Sequence, residues 1–146
     1  MKNKNGLQFI EMSELELAKF DSVIRDLSNN NNSLIVDYEK EAIEKIDSYL
    51  YGKYDTFQIF NKTGINRSSM IKRVIIDFII CDLFSRVNVN EVPQNIIDRC
   101  IMHTKWLSDL SKGTISANLP KLDNKYQQTT TFKSGSEPKF NNISFI

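Results

Sequence analysis

The reactive residues of this 146-residue chain are few: one histidine, His103, two cysteines, Cys81 and Cys100, and a scatter of carboxylates among helical patterns. A lone histidine does not make a multi-histidine metal site and leaves a Ser-His-Asp arrangement without spare partners. His103 falls mid-helix beside Trp106 and reads as a surface or half-buried packing residue. Cys81 and Cys100 each lie in an apolar helical pattern rather than in a CxxC pair, which predicts two reduced, buried thiols acting as small hydrophobes. The glycines, Gly6, Gly52, Gly64, Gly113 and Gly135, are scattered and form no phosphate-cradling loop. Glu39 and Glu41 suit the positive end of a helix better than acid–base catalysis. Asp77 is the one carboxylate inside the most apolar stretch. An isolated buried charge is expensive, so a structural salt bridge from Asp77 to Arg73 or Arg99 is expected. No catalytic, cofactor-binding or metal-binding residue is assigned, no cofactor is called for, and the chain is read as a non-enzyme.

Charge narrows the partners. Net charge is +1 and the pI is near 7.7, so no global field draws the chain to nucleic acid or anionic lipid. Lys62, Arg67, Lys72 and Arg73 form a local basic cluster. It reads first as a solvated face, and in the alternative as a phosphate contact of a small helical DNA-binding or regulatory protein. Hydrophobic content is 40% and charged content 25%, both ordinary for one globular domain. The N-terminus shows no signal-peptide run, and VIIDFIICDLF, broken by Asp77 and Asp82, is too short to span a bilayer. A soluble protein made inside a cell, with no membrane partner, is expected.

These residues need helices to position them. Ser13 to Glu16 fits a capping box with Met12 and Leu17 as its staple, and Leu17, Phe20, Ile24 and Leu27 continue a first helix to Ser28. Asn29 to Asn32 make a polar linker. A second helix, starting between Ser33 and Asp37, carries Ala42, Ile43, Ile46, Tyr49 and Leu50 on one face and stops at Gly52, with Tyr54 folding back. Residues 55–66 read as a loop with a short extended piece at Phe57 to Phe60. A third helix, capped by Asn66 or Ser68, is apolar most of the way round, the mark of a bundle centre. Along one edge, Arg73 is spaced to pair with Asp77, and Asp82 with Arg86. Pro93 opens a fourth helix whose stripe is Ile96, Ile97, Cys100, Ile101, Thr104, Leu107 and Leu110, and Gly113 ends it. The fold class is therefore all-α, a small four-helix bundle-like core with an extended C-terminal arm. The divisions are residues 1–32 (N-terminal helix and Asn-rich linker), 33–113 (helical core) and 114–146 (arm).

The arm has no helical period, yet aromatics recur at Tyr126, Phe132, Phe140 and Phe145. Disordered tails tend to be aromatic-poor, so it reads as a segment that lays its aromatics into a partner's pockets. Wrapping on its own domain is the blander reading.

Three segments carry a family resemblance. Ile46-Asp47-Ser48-Tyr49-Leu50-Tyr51-Gly52-Lys53-Tyr54 resembles the "I-D-x-Y-L-x-G-R-Y" segment of small head–tail joining proteins of Mu-like and related tailed phages, with Lys53 in the place of the arginine. Ile75-Ile76-Asp77-Phe78-Ile79 through Leu83 is similar to that family's "A-x-D-I-A-x-x-x-L" helix, with larger residues for the alanines. Arg99, His103, Trp106-Leu107, Leu110 and Gly113 are similar to "R-x-x-A-x-x-W-L-x-x-I-x-x-G". Order and spacing hold from about residue 38 to 119. The N-terminal helix and the arm fall outside.

The resemblance implies a structural virion protein of the phage neck: a ring of copies, usually dodecameric, beneath the portal, joining head to tail while DNA passes non-specifically through the lumen. Its implied partners are other copies of itself, the portal protein and tail or further neck proteins. Repetition around a ring multiplies a modest contact into a durable assembly. Near-neutral charge suits a wall that DNA slides past. Tyr49 and Tyr54 would pack the bundle. Tyr51, facing away, would join Tyr126, Phe132, Phe140, Phe145 and Ile146 as interface residues.

Overall fold

A computed structural model describes residues 6–16, 21–87 and 92–123. The chain is all-α, as its periodicities predict. Six helices occur among these residues: α1 Met12–Glu16, α2 Asp21–Ser28, α3 Asn32–Leu50, α4 Thr56–Asn61, α5 Ser69–Val87 and α6 Gln94–Lys112, with one 3-10 turn at Gly64–Asn66. The apolar α5 is the central element, packed against α2, α3 and α6. Ile71, Val74, Ile75, Phe78, Ile79, Ile80 and Leu83 are buried on it, a spread too wide for one stripe. Ala42, Ile46 and Leu50 of α3 and Ile96, Leu107 and Leu110 of α6 complete this core. No helix among the described residues is long and apolar enough to cross a membrane.

The start of the chain differs from the sequence reading. Helix is described on either side of residues 17–20, as α1 and α2, and Leu17 and Phe20 of the expected stripe lie outside the described residues. The capping box lies two residues earlier than expected: Glu14 Oε2 accepts from the Glu11 N–H at 3.0 Å, ahead of the first helical residue, Met12. Ahead of it Leu7, Phe9 and Ile10, which the helical template passes over, are buried in the same core as α3 and α5. Burying each such side chain contributes about 1.5–3 kcal/mol. Residues 1–32 thus supply part of the common hydrophobic core.

Asn31 rather than a residue from Ser33 onward caps α3, its side chain accepting from the Ser33 N–H at 3.0 Å. At the other end Gly52 takes φ +86°, a left-handed conformation that a side chain would strain. The reversal returns Tyr54, whose N–H donates to Leu50 O at 3.1 Å and whose ring is buried. Residues 56–61 are helix α4 and not the extended piece expected. Asp55 caps it by accepting from the Gln58 N–H at 2.9 Å, and Ile59 and Phe60 face inward. Pro93 stands just before α6 instead of in its first turn. Gly113, at φ +77°, closes α6 as predicted.

After α6 the chain runs back over Tyr54. The Ala117 N–H donates to Tyr54 Oη at 3.2 Å, the Asp55 N–H to Pro120 O at 2.9 Å and the Leu122 N–H to Lys53 O at 3.3 Å. Tyr54 and Lys121 form an isolated antiparallel bridge. The start of the arm is therefore tied to the turn that closes α3.

Candidate functional site

The chemistry-bearing residues gather where α5 faces α6. Asp77 sits mid-α5 with 3% exposure, and His103 of α6 is fully buried at 0%. His103 Nε2 lies 2.6 Å from Asp77 Oδ2, so the ring donates from that nitrogen to the carboxylate. Arg99, one turn earlier on α6, donates through Nε to Oδ2 at 3.2 Å and through Nη2 to Oδ1. Its side chain keeps partial access to solvent, which lowers the desolvation cost of the pair. The Phe78 ring packs edge-on to His103, centroids 6.4 Å apart. His103 Nδ1 is buried and finds no hydrogen-bond partner among the described residues.

His103 is not a surface or half-buried residue but a partner of Asp77 at the centre of the bundle. Of the two arginines spaced for Asp77, Arg99 makes the pair. Arg73 is exposed and meets no carboxylate among the described residues, because Asp77 faces α6 while Arg73 turns out to solvent. The arrangement is an ion pair plus a histidine, enclosed by the α5–α6 contact. It ties α5 to α6 at one register through the Asp77 carboxylate. Among the described residues, no group of three or more His, Cys, Asp or Glu is disposed to hold a metal ion.

Cys81 and Cys100 are joined in a disulfide, Cα–Cα 6.8 Å, against the expectation of two reduced thiols. Separate apolar patterns at residues 81 and 100 carry no sign of pairing. The antiparallel approach of α5 and α6 brings them face to face beside Asp77 and Arg99. The disulfide lines an open groove of about 770 Å³ with Tyr49, Val92, Ile97 and Ile101.

The basic cluster is divided by Glu14. Arg67 has only 7% of its side chain exposed, and its two terminal nitrogens each donate to a different Glu14 oxygen at 2.9 Å. Lys72 Nζ reaches Glu14 Oε1 at 2.8 Å. Burial alone would raise the Glu14 carboxyl. Hydrogen bonds from Lys72, from the Glu11 N–H and from Arg67, with the Arg67 charge, hold it below its ordinary value of 4.5. Asp82, on the α3-facing side of α5, moves the other way. Burial raises it, and Glu41 adds to that rise while Lys45 opposes it. No Asp82–Arg86 pair forms among the described residues, since Asp82 points to α3.

Comparison with protein-family models, with curated proteins and with solved structures returns no match for this chain. Tyr51, at the end of α3, is 79% exposed, and Phe57, Ile65, Ile101 and Met102 are exposed with it. Ile101 was expected on the buried stripe of α6 and instead lies 61% open, because the face that meets α5 runs through Ile96, His103, Leu107 and Leu110. Tyr126, Phe132, Phe140, Phe145 and Ile146 lie outside the described residues.

Proposed function

We propose that the chain is a structural joining protein of a tailed-phage neck, acting as a ring of copies beneath the portal through which DNA passes. The reading is supported first by its motifs, which fall at three architectural points of the bundle. Ile46 to Tyr54 forms the end and the reversal of α3, Ile75 to Leu83 the middle of α5, and Arg99 to Gly113 the length and cap of α6. The observation that carries most weight is Tyr51, an aromatic presented to solvent by the same turn that buries Tyr54. An exposed aromatic on a rigid helix end is a natural anchor for a neighbouring protein.

Electron microscopy of the protein mixed with the portal protein from the same genome, against each alone, tests the proposal. An added ring of density under the portal is the expected result. A portal that stays bare across a range of salt and stoichiometry overturns it. Removing residues 124–146 keeps the Tyr54–Lys121 bridge and should leave a helical protein that no longer docks.

A further inference from the structure

Trp106 is the only tryptophan in the chain. It forms one wall of an open cleft of about 620 Å³ lined by α4, the start of α5 and residues 117–120. Ile59 and Leu119 contribute apolar lining and Asn118 an amide. The charged lining is entirely cationic: Lys62, Arg67 and Arg73 face the cavity and no aspartate or glutamate does. Arg67 is neutralised by Glu14 behind it. Lys62 and Arg73 differ, since both are exposed and neither meets a carboxylate among the described residues.

Two uncompensated cations beside an indole and aliphatic walls complement a ligand that is itself acidic and apolar. Residues 124–146 do not suit it. They carry Lys125, Lys133 and Lys139 against Glu137 alone, so their charge has the wrong sign. A nucleic-acid backbone would want a longer cationic track, and Glu14 together with Glu11 offsets Arg67 and Lys72. We infer that this cleft binds an acidic peptide segment of a partner protein, a carboxylate meeting Lys62 and Arg73 and an apolar side chain lying against Trp106. The inference is independent of the ring reading, because the isolated chain presents the same cleft.

The full chain is titrated at low salt with a tryptophan-free peptide, acetyl-Asp-Leu-Glu-Ile-Asp-Leu-amide, following Trp106 emission, with calorimetry as a second readout. A lysine-for-acid peptide, inorganic phosphate and a thymidine oligonucleotide serve as comparisons. Saturable binding of the acidic peptide alone is expected, weakened about tenfold or more in K62Q/R73Q. Both side chains are exposed, so circular dichroism of that variant should match the parent, while K40Q should bind normally. No heat and no emission change up to millimolar peptide overturns the inference. So does equal binding by K62Q/R73Q, or binding of phosphate or oligonucleotide in preference to the peptide.

Discussion

Glu39, on the second turn of α3, accepts the backbone N–H of Phe9 at 2.7 Å across 30 residues of sequence. The same Oε1 takes the Ile10 N–H at 2.8 Å, and Oε2 takes the Gln8 N–H at 2.6 Å. A buried carboxylate thus satisfies three successive backbone donors that precede α1. The helix-dipole reading of Glu39 misses this role entirely. Charge-assisted bonds of this kind are among the stronger ones, and the alternative is buried, unpaired N–H groups.

Glu39→Ala should therefore destabilise the fold by roughly 3 kcal/mol or more. Glu39→Gln should lose nearly as much, because an amide has one acceptor oxygen and turns donors toward the Gln8 N–H. Urea unfolding gives the loss. Hydrogen exchange supplies the location, with the Gln8, Phe9 and Ile10 amides exchanging faster than those of α5.

Asp77→Ala strands His103 and Arg99 at the helix contact, and a cost of about 3–5 kcal/mol is expected. The double variant D77L/H103L removes both buried polar partners and should recover most of that loss, since Arg99 retains access to solvent. A thermal melt of both proteins decides. If the double variant is as unstable as the single one, the pair does more than fix register.

Glu14 and Asp82 make opposite contributions to the pH dependence. The Glu14 carboxyl is lowered in the folded state, so its contribution is present above the ordinary value of 4.5 and is lost as pH falls through the lowered one. Glu14→Gln should weaken the protein by about 1–2 kcal/mol at neutral pH and flatten its acid limb. Asp82 is raised, so the folded state binds its proton more readily and stability falls as pH climbs past that raised value. Asp82→Asn should stabilise at neutral pH, by no more than about 1 kcal/mol. Denaturation midpoints across acid to neutral pH test both signs.

The Cys81–Cys100 disulfide closes a segment of sequence separation 19. A loop of this size corresponds to about 3 kcal/mol in the chain-entropy account. Thiol titration of the unfolded, unreduced protein should detect neither cysteine, and reduction should reveal both while lowering the melting temperature. Two free thiols before reduction would refute the pairing.

The helical skeleton was legible because it rests on local rules. Gly52 and Gly113 mark helix ends through a backbone conformation that other residues resist, and the wide apolar surface of Ile71 to Leu83 announces a central helix. Helix α4 was legible in principle, from Asp55 and Gln58 three residues apart, but Phe57 to Phe60 read more strongly as an extended run. Leu7, Phe9 and Ile10 carried too short a pattern to register as core.

Residue type and spacing by themselves determined that the chain is all-α, where α3 and α6 stop, that α5 is central, and that Asp77 needs a cation. Tertiary structure alone decided which cation it was and which face of α6 met it, and so placed His103 inside and Ile101 outside. It also decided that Cys81 meets Cys100, that Glu39 holds residues 8–10, and that Glu14 takes Arg67 and Lys72 while leaving Lys62 and Arg73 open. The physical reason is the range of the forces involved. Caps and periodicity act within one or two turns of the chain, whereas a buried charge selects its partner from whatever the packed helices bring within 3 Å, and sequence separation does not limit that choice.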